Sequence, residues 1–418
     1  MKTLVQITKL LLIAIFLMSS IPLSADAKSD NYFTINGVVR NGDNNKRIDY
    51  ANITIKGTNI GTVANENGEF TLKVKSSTEA RLLVVSHVGF VSTEIHIDGA
   101  NVENLKVTLM PRNTVLNEVI VRGDAQSIVL DAIRRIKTNY EERNCMLTGF
   151  YRETARKRQH YITISEAITD VYKSDYNKRN VEYDRVQILK GRKLLSEKKG
   201  DTLAVRLLGG PNLAVFGDMV KNAEVLLNEE DMMYYFYKLE DPVFIDHRMQ
   251  YVVSITPRVR MPYALYNGRL FIDSESLAFT RIELSLDMSD RNKATQAILK
   301  RKPFGLIFKP QELTFLVDYK EREGKMTLNY IRNEIRFKCD WKRKLFSTSY
   351  SIISEMVITD LNSNDVKHIP YRAAFNERDS FTDKVDAFYD ENFWGEYNII
   401  APTESLEKAV NKLKKQYK

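Results

Sequence analysis

The sequence predicts a mainly β protein: an N-terminal seven-stranded β-sandwich followed by an α+β domain built on a curved antiparallel sheet. Between residues 33 and 110, short runs of alternating apolar and polar residues recur, separated by Gly, Asn and Asp turns. Between residues 251 and 358, longer runs of the same period are mostly adjacent in sequence, which makes an antiparallel meander the simplest topology. The composition of the 418 residues, 43% hydrophobic with 18 Gly and 10 Pro, is that of an ordinary folded chain and excludes fibrous and disordered classes.

The chain opens with Lys2 and Lys9 around the start of an apolar run at 10–18, then Ser19-Ser20-Ile21-Pro22 and Ala25-Asp26-Ala27. A charged start, a short apolar stretch and a small-x-small site describe a secretory signal peptide over residues 1–27. The run is too short to span a bilayer, no cysteine follows the cut to carry a lipid anchor, and no later stretch reaches 18 consecutive apolar residues. The expected mature protein is exported, without a transmembrane span, soluble or peripherally bound to a membrane. An oxidising compartment permits a bond between Cys145 and Cys339, and two separate buried thiols satisfy the sequence equally well.

The formal charge of +8 comes from 62 Lys+Arg against 54 Asp+Glu. Its short basic runs, Lys190-Gly191-Arg192-Lys193, Lys300-Arg301-Lys302 and Lys342-Arg343-Lys344, are scattered rather than gathered into a stripe. They read as solvated surface, and a nucleic-acid partner is not expected.

The first domain reads as strands near 33–39, 51–55, 69–74, 81–86, 91–97 and 105–110, with turns at Asn41-Gly42-Asp43-Asn44-Asn45 and Asn65-Glu66-Asn67-Gly68. Gly37-Val38-Val39, Ala51-Asn52-Ile53-Thr54-Ile55-Lys56-Gly57-Thr58, Gly61-Thr62 with Asn65-Glu66-Asn67-Gly68-Glu69-Phe70, and Ser86-His87-Val88-Gly89-Phe90 together resemble the carboxypeptidase regulatory-like domain. This is a transthyretin-like sandwich of exported proteins in Bacteroidetes-type bacteria. The resemblance places the domain at 32–111 and a linker at 112–124. Within the linker, Leu116-Asn117-Glu118-Val119-Ile120-Val121 is similar to the joining segment of TonB-dependent receptors. It implies a cell-envelope protein, in the periplasm or on the periplasmic face of the outer membrane. In zinc carboxypeptidases this sandwich is accessory to a separate catalytic domain. Here His87, His96, His160, His247 and His368 form no H-E-x-x-H and have no i,i+4 partner, so no metal site and no cofactor are expected.

The second domain, 125–418, begins with Ile128, Val129, Ala132, Ile133, Ile136 and Tyr140 at helical spacing, which predicts one amphipathic helix over 125–140. Strands are expected near 149–153, 161–168, 251–256, 266–272, 279–286, 312–319, 325–337 and 346–358. The hairpin at 266–283, with its acidic turn Asp273-Ser274-Glu275-Ser276, is similar to the repeating unit of periplasmic lipoprotein-carrier-like half-barrels, in which a sheet curves around an apolar cavity. Gly149-Phe150-Tyr151-Arg152-Glu153 and Phe393-Trp394-Gly395-Glu396-Tyr397-Asn398 resemble landmarks of exported Bacteroidetes proteins that pair the two domains. Acids lead and lysines trail in a final helix over 404–415, whose Leu406, Val410 and Leu413 suit docking on the sheet better than Lys412, Lys414 and Lys415 suit a membrane. Phe388, Tyr389, Phe393, Trp394 and Tyr397 would anchor the approach to it.

The candidate binding groove follows the loop Leu207-Leu208-Gly209-Gly210-Pro211-Asn212. Leu213, Phe216, Met219 and Val220 at helical spacing, with Tyr234 and Tyr235, would form an adaptable apolar lip; the competing assignment is core covering the sheet. Glu166, among Ile162, Ile164 and Ile168, is the acid whose burial would raise its titration, unless it pairs with an arginine such as Arg152. No G-x-S-x-G and no phosphate loop occurs. The expected function is a non-enzymatic envelope protein that binds an apolar or extended ligand or a partner protein. The alternatives are a structural adaptor acting through sandwich edge strands and an exported hydrolase using second-domain carboxylates.

Overall fold

The computed structural model describes residues 32–79, 81–112, 124–196, 198, 208–245, 247–299, 304–341, 347–385 and 393–414. The signal peptide at 1–27, most of the linker at 112–124 with its Leu116–Val121 segment, Phe388, Tyr389 and Lys415 lie outside them.

Strands β1 (Tyr32–Asn41), β2 (Asn52–Ile55), β3 (Gly61–Val63), β4 (Glu69–Lys75), β5 (Leu82–Ser86), β6 (Thr93–His96) and β7 (Val102–Leu109) form two sheets, ordered β4-β1-β7 and β3-β2-β5-β6. Alternation sends Phe33 and Ile35 of β1 and Phe70, Leu72 and Val74 of β4 inward to meet Ile53, Leu83 and Val85 of the facing sheet. Gly37 is required where β1 runs parallel to β7, because a Cβ there would lie 2.5 Å from the Leu105 carbonyl oxygen and 2.7 Å from the Phe70 ring. The predicted seven-stranded sandwich is therefore formed.

The second domain is a ten-stranded sheet of β8 (Cys145–Lys157), β9 (His160–Lys173), β10 (Arg185–Leu195), β11 (Tyr235–Ile245), β12 (Arg248–Pro257), β13 (Tyr266–Asp273), β14 (Phe279–Leu286), β15 (Leu306–Arg322), β16 (Lys325–Trp341) and β17 (Thr348–Asn362). Their order is β10-β9-β8-β17-β16-β15-β14-β13-β12-β11, every neighbouring pair antiparallel. Two meanders are thus joined where β8 pairs with β17, and β10 and β11 are left as edges of an open sheet. Bulges in six of these pairings, such as Pro310/Glu312 and Ile358/Asp360, bend the strands and curve the sheet.

Two sequence expectations change. The predicted helix over 125–140 is a helix at Ala125–Arg134, capped by Asp124 accepting from the Ser127 amide, and a separate turn at Ile136–Asn139. The Arg135 amide closes the first piece on Asp131, and Tyr140 leaves helical geometry so that its hydroxyl donates to the Phe279 carbonyl at 2.6 Å. Lys190-Gly191-Arg192-Lys193 is edge strand β10 rather than plain solvated surface: Arg192 is mostly buried in ion pairs and the Lys193 ammonium donates to the Thr382 carbonyl at 2.7 Å. Cys145 and Cys339 are both buried free thiols, in different core clusters.

The helix Ala125–Arg134 and residues 213–227 cover one face of the sheet, where Leu147, Tyr151, Val171, Ile282, Ile331 and Met356 meet Val129, Val215, Met219 and Val220. The opposite face carries the sandwich. Val63 and Tyr50 meet Phe150, Tyr330 and Val357, with Phe393, Trp394 and Ile400 of the C-terminal segment in the same cluster. The final helix, Glu404–Lys414, docks Leu406 and Leu413 against Ile164 and Leu194, as its apolar stripe predicts.

Under the sandwich an alternating charge row crosses the sheet in register: Arg192 of β10, Glu166 of β9, Arg152 of β8, Glu355 of β17 and Arg332 of β16. Arg152 donates through Nε to Glu166 Oε1 at 2.8 Å and stands 3.7 Å from Glu355, while Arg192 Nη2 reaches Glu166 Oε2 at 2.6 Å. The Tyr330 hydroxyl donates to Glu355 at 2.9 Å, and Arg152 Nη2 donates to the Ile400 carbonyl at 2.7 Å. Arg332 lies over the Tyr50 ring and Arg192 over Trp394, so both covering elements rest on the row.

The C-terminal segment also wraps the β10 edge. On one face the Phe375 amide donates to the Val186 carbonyl at 2.7 Å and Val385 fills the space above Gly191, where a Cβ would lie 2.6 Å from its Cγ1. On the other face Phe393 lies over Lys190. The segment then caps the sandwich: Asn398 exchanges both amide bonds with the Lys73 backbone of β4 at 2.7 and 3.0 Å, and Thr62 and Asn65 donate to the Ile399 and Ala401 carbonyls.

Removing one member of a buried charge row strands its partners. Arg152→Leu is expected to lower unfolding free energy by about 3–5 kcal/mol in denaturant titration. Asn398→Ala, which loses two exchanged bonds, is expected to lower it by about 1–3 kcal/mol.

Candidate functional site

The site grows from a buried ionic cluster on the helix-covered face. Lys173, near the end of β9, is fully buried, and its ammonium lies 2.8 Å from Asp218 Oδ2, 3.3 Å from Asp184 Oδ2 and 3.1 Å from the Ala214 carbonyl. Tyr176 and Tyr319 donate their hydroxyls to Asp218 at 2.7 and 2.9 Å. Lys221 donates to Ser174 at 3.1 Å and to the Asp175 carbonyl. Burial would push the Lys173 ammonium down, and the two aspartates outweigh it and hold it above its ordinary range; burial holds Lys221 below its own. The cluster pins residues 213–222 to β9 and β15 and fixes where Phe216 emerges.

A second wall comes from residues 371–385. The Gly209 amide donates to the Asp379 carbonyl at 3.1 Å and Asn212 Nδ2 to the Phe375 carbonyl at 3.1 Å. Gly210 adopts φ +41°, and a Cβ there would lie 2.8 Å from Phe381 Cβ, so only glycine lets the two walls meet. Between Phe216, Asn212 and Val215 on one side, Asp184, Arg185 and Ile188 at the β10 edge, and the 371–379 segment lies an open cavity of about 710 Å³.

Beneath the second wall sits Glu153, 7% exposed. It accepts from the Tyr151 hydroxyl at 3.0 Å, and Thr382 closes over it while sharing a bond with Ser165 at 3.1 Å. Burial raises its carboxyl to about 7 against the hydrogen bonds of Tyr151 and Thr382. Glu166, the acid singled out in the sequence, behaves oppositely. Burial pushes it up, and Arg152 and Arg192 outweigh burial and hold it below the usual carboxylate range.

Of the six groove residues read from sequence, Phe216 is 42% exposed and lines the cavity. Met219, Val220 and Tyr235 are buried in the sheet's core, and Leu213 and Tyr234 are half-buried against it. Met219 and Val220 are covered because the turn after Phe216 is pulled inward by Asp218. The cavity's other contributors, Arg185, Tyr371, Arg372 and Arg378, carry no local pattern that marks them. They meet only because residues 371–379 cross the β10 edge. Among the described residues no group of three or more His, Cys, Asp or Glu is arranged to hold a metal ion, and no helix is long and apolar enough to cross a membrane.

Residues 35–121 match the family model of the CarboxypepD_reg-like domain, which shows that the N-terminal sandwich is of the expected kind. Over 114 residues, 27% of the chain, the sequence is 30% identical to the TonB-dependent receptor SusC of Bacteroides thetaiotaomicron, and it spans a tenth of that protein's length. Among solved structures, a DUF1329 family protein from Desulfovibrio piger aligns over 60% of this chain and 100% of its own at 13% identity and a TM-score of 0.26. A domain described as an outer membrane lipoprotein-sorting protein, from Vibrio parahaemolyticus, aligns over 58% of this chain and 94% of its own at 10% identity and a TM-score of 0.25.

With a folded value near 7 and an ordinary value of 4.5, native Glu153 binds more protons than the unfolded chain between those limits. Its contribution therefore falls as pH rises through that window and levels off above it, by about 3 kcal/mol in all. Glu153→Gln is expected to abolish this fall and to be more stable than the parent at pH 8, as read by urea denaturation at pH 4.5, 6 and 8.

Proposed function

We propose that this is a non-enzymatic protein of the cell envelope whose second domain binds an apolar or extended ligand in the cavity beside Phe216. The observation that carries the reading is the cavity itself: its volume lies within the range of small-molecule sites, one wall is set by the buried Lys173 cluster, and the other, the irregular 371–379 segment, is tied to it by the Asn212 side chain. Envelope placement is supported by the signal-like start of the sequence and by the likeness of the sandwich to part of a TonB-dependent receptor.

The sandwich is a fixed part of the body in this reading. Its β3 and β4 edges are engaged by residues 398–401, which weighs against an adaptor working through those two strands. The hydrolase alternative needs two carboxylates converging on open space. Glu166 and Glu355 instead flank Arg152 in the charge row, and each is committed to ion pairs there.

Phe216→Asp places a charge on the cavity rim without touching the buried cluster. It is expected to remove the lipid or peptide that co-purifies from the native envelope, detected by mass spectrometry, while circular dichroism stays that of the parent. An unchanged ligand complement would sink the reading.

A further inference from the structure

We propose that the cavity takes an anionic head group, a carboxylate or a phosphate ester, carried on an apolar chain. This rests on the ligand-binding reading of the same cavity and names the chemistry of its occupant.

The charges around the cavity do not cancel. Asp184 accepts from the Ser174 amide and hydroxyl, both at 2.9 Å, and faces Lys173 behind the wall, so its charge is satisfied from inside. Asp379 and Lys384 pair with each other at 2.9 Å. Arg185, Arg372 and Arg378 remain against Glu377, and among the described residues none of the four makes an ion pair. Three cations against one anion leave an excess of positive charge around one opening, and a cleft with low-dielectric walls focuses that field.

Arg185 supplies direction. Its Nη1 donates to the Glu182 and Asp184 carbonyls at 2.6 and 2.7 Å, which fixes the guanidinium at the cavity wall. A fixed guanidinium suits carboxylate and phosphate oxygens better than a neutral head group.

Apart from Asn212 and Asn376, the uncharged lining is apolar or aromatic. Phe216 and Tyr371 are 42% and 76% exposed at the opening, and Ile188, Val215 and Phe375 continue the surface inward. About 710 Å³ suits a medium-length chain with its head group.

The test is calorimetric titration of the full chain with dodecyl phosphate, dodecyl maltoside and inorganic phosphate, each below its micelle concentration where it has one. Dodecyl phosphate is expected to bind at least about tenfold more tightly than either of the others, and more weakly at high salt. Arg372→Glu with Arg378→Glu, both exposed positions, is expected to cost about tenfold or more for dodecyl phosphate. Phe216→Ser is expected to weaken both dodecyl compounds.

Equal binding of the phosphate and the maltoside, or no effect of the double arginine variant, overturns the proposal. Inorganic phosphate binding as tightly as dodecyl phosphate overturns it too and reduces the cavity to a site for an adventitious anion only. If both dodecyl compounds bind equally and Phe216→Ser abolishes both, the charge inference alone has failed. If neither binds and Phe216→Asp leaves the co-purified material unchanged, the ligand-binding reading has failed with it.

Discussion

Arg152 stands at the centre of the row Arg192, Glu166, Arg152, Glu355, Arg332, and the arrangement of the two domains depends on it. A charge row on a sheet is affordable in water and costly once covered, because desolvation of each ion amounts to several kcal/mol. Here the covering is made possible by alternation: each inner member lies between two opposite charges, and Ile400, Tyr330, Tyr50 and Trp394 supply the remaining hydrogen bonds and ring faces. The same condition gives the interface its specificity. A shift of one residue in any of these strands would turn its charge to the opposite face, into the apolar core beneath Tyr151 and Met356.

The C-terminal segment converts that interface into one body. It leaves β17, passes the β10 edge on the helix-covered face, and is found again on the sandwich-covered face. An open edge strand invites pairing with other chains. Phe375, Val385 and Phe393 occupy the surroundings of β10 on both sides, and the same crossing creates the cavity. Glu153 lies under this crossing rather than in the charge row. The two buried glutamates of neighbouring strands therefore titrate in opposite directions, one among cations and the other among hydroxyl groups.

Much of the fold was legible locally. β14 was predicted over the residues it occupies, and β12, β13, β15, β16 and β17 were located with their ends extended by bulges and long ladders. β10 and β11 were missed because both depart from alternation. In β10 a Lys-Gly-Arg-Lys run interrupts the apolar pattern, and in β11 Asp241-Pro242 falls at a bulge. The pairing of Glu166 with Arg152 was one of two readings of a single buried acid. Choosing between them required the register that places the two side chains opposite each other.

The sequence by itself determined the sandwich, through turn residues and a period of two that act over a few positions, and it determined the existence of an antiparallel sheet for the same reason. It also placed Phe216 among the residues of interest. Tertiary structure alone decided that Met219, Val220 and Tyr235 are core, that Glu153 rather than Glu166 is the acid with a raised titration, and that Arg185 shares an opening with Arg372 and Arg378. Those outcomes turn on burial and on charges brought together from distant segments. Desolvation and Coulomb energy depend on distance in space, which the order of residues leaves open until the chain has closed on itself.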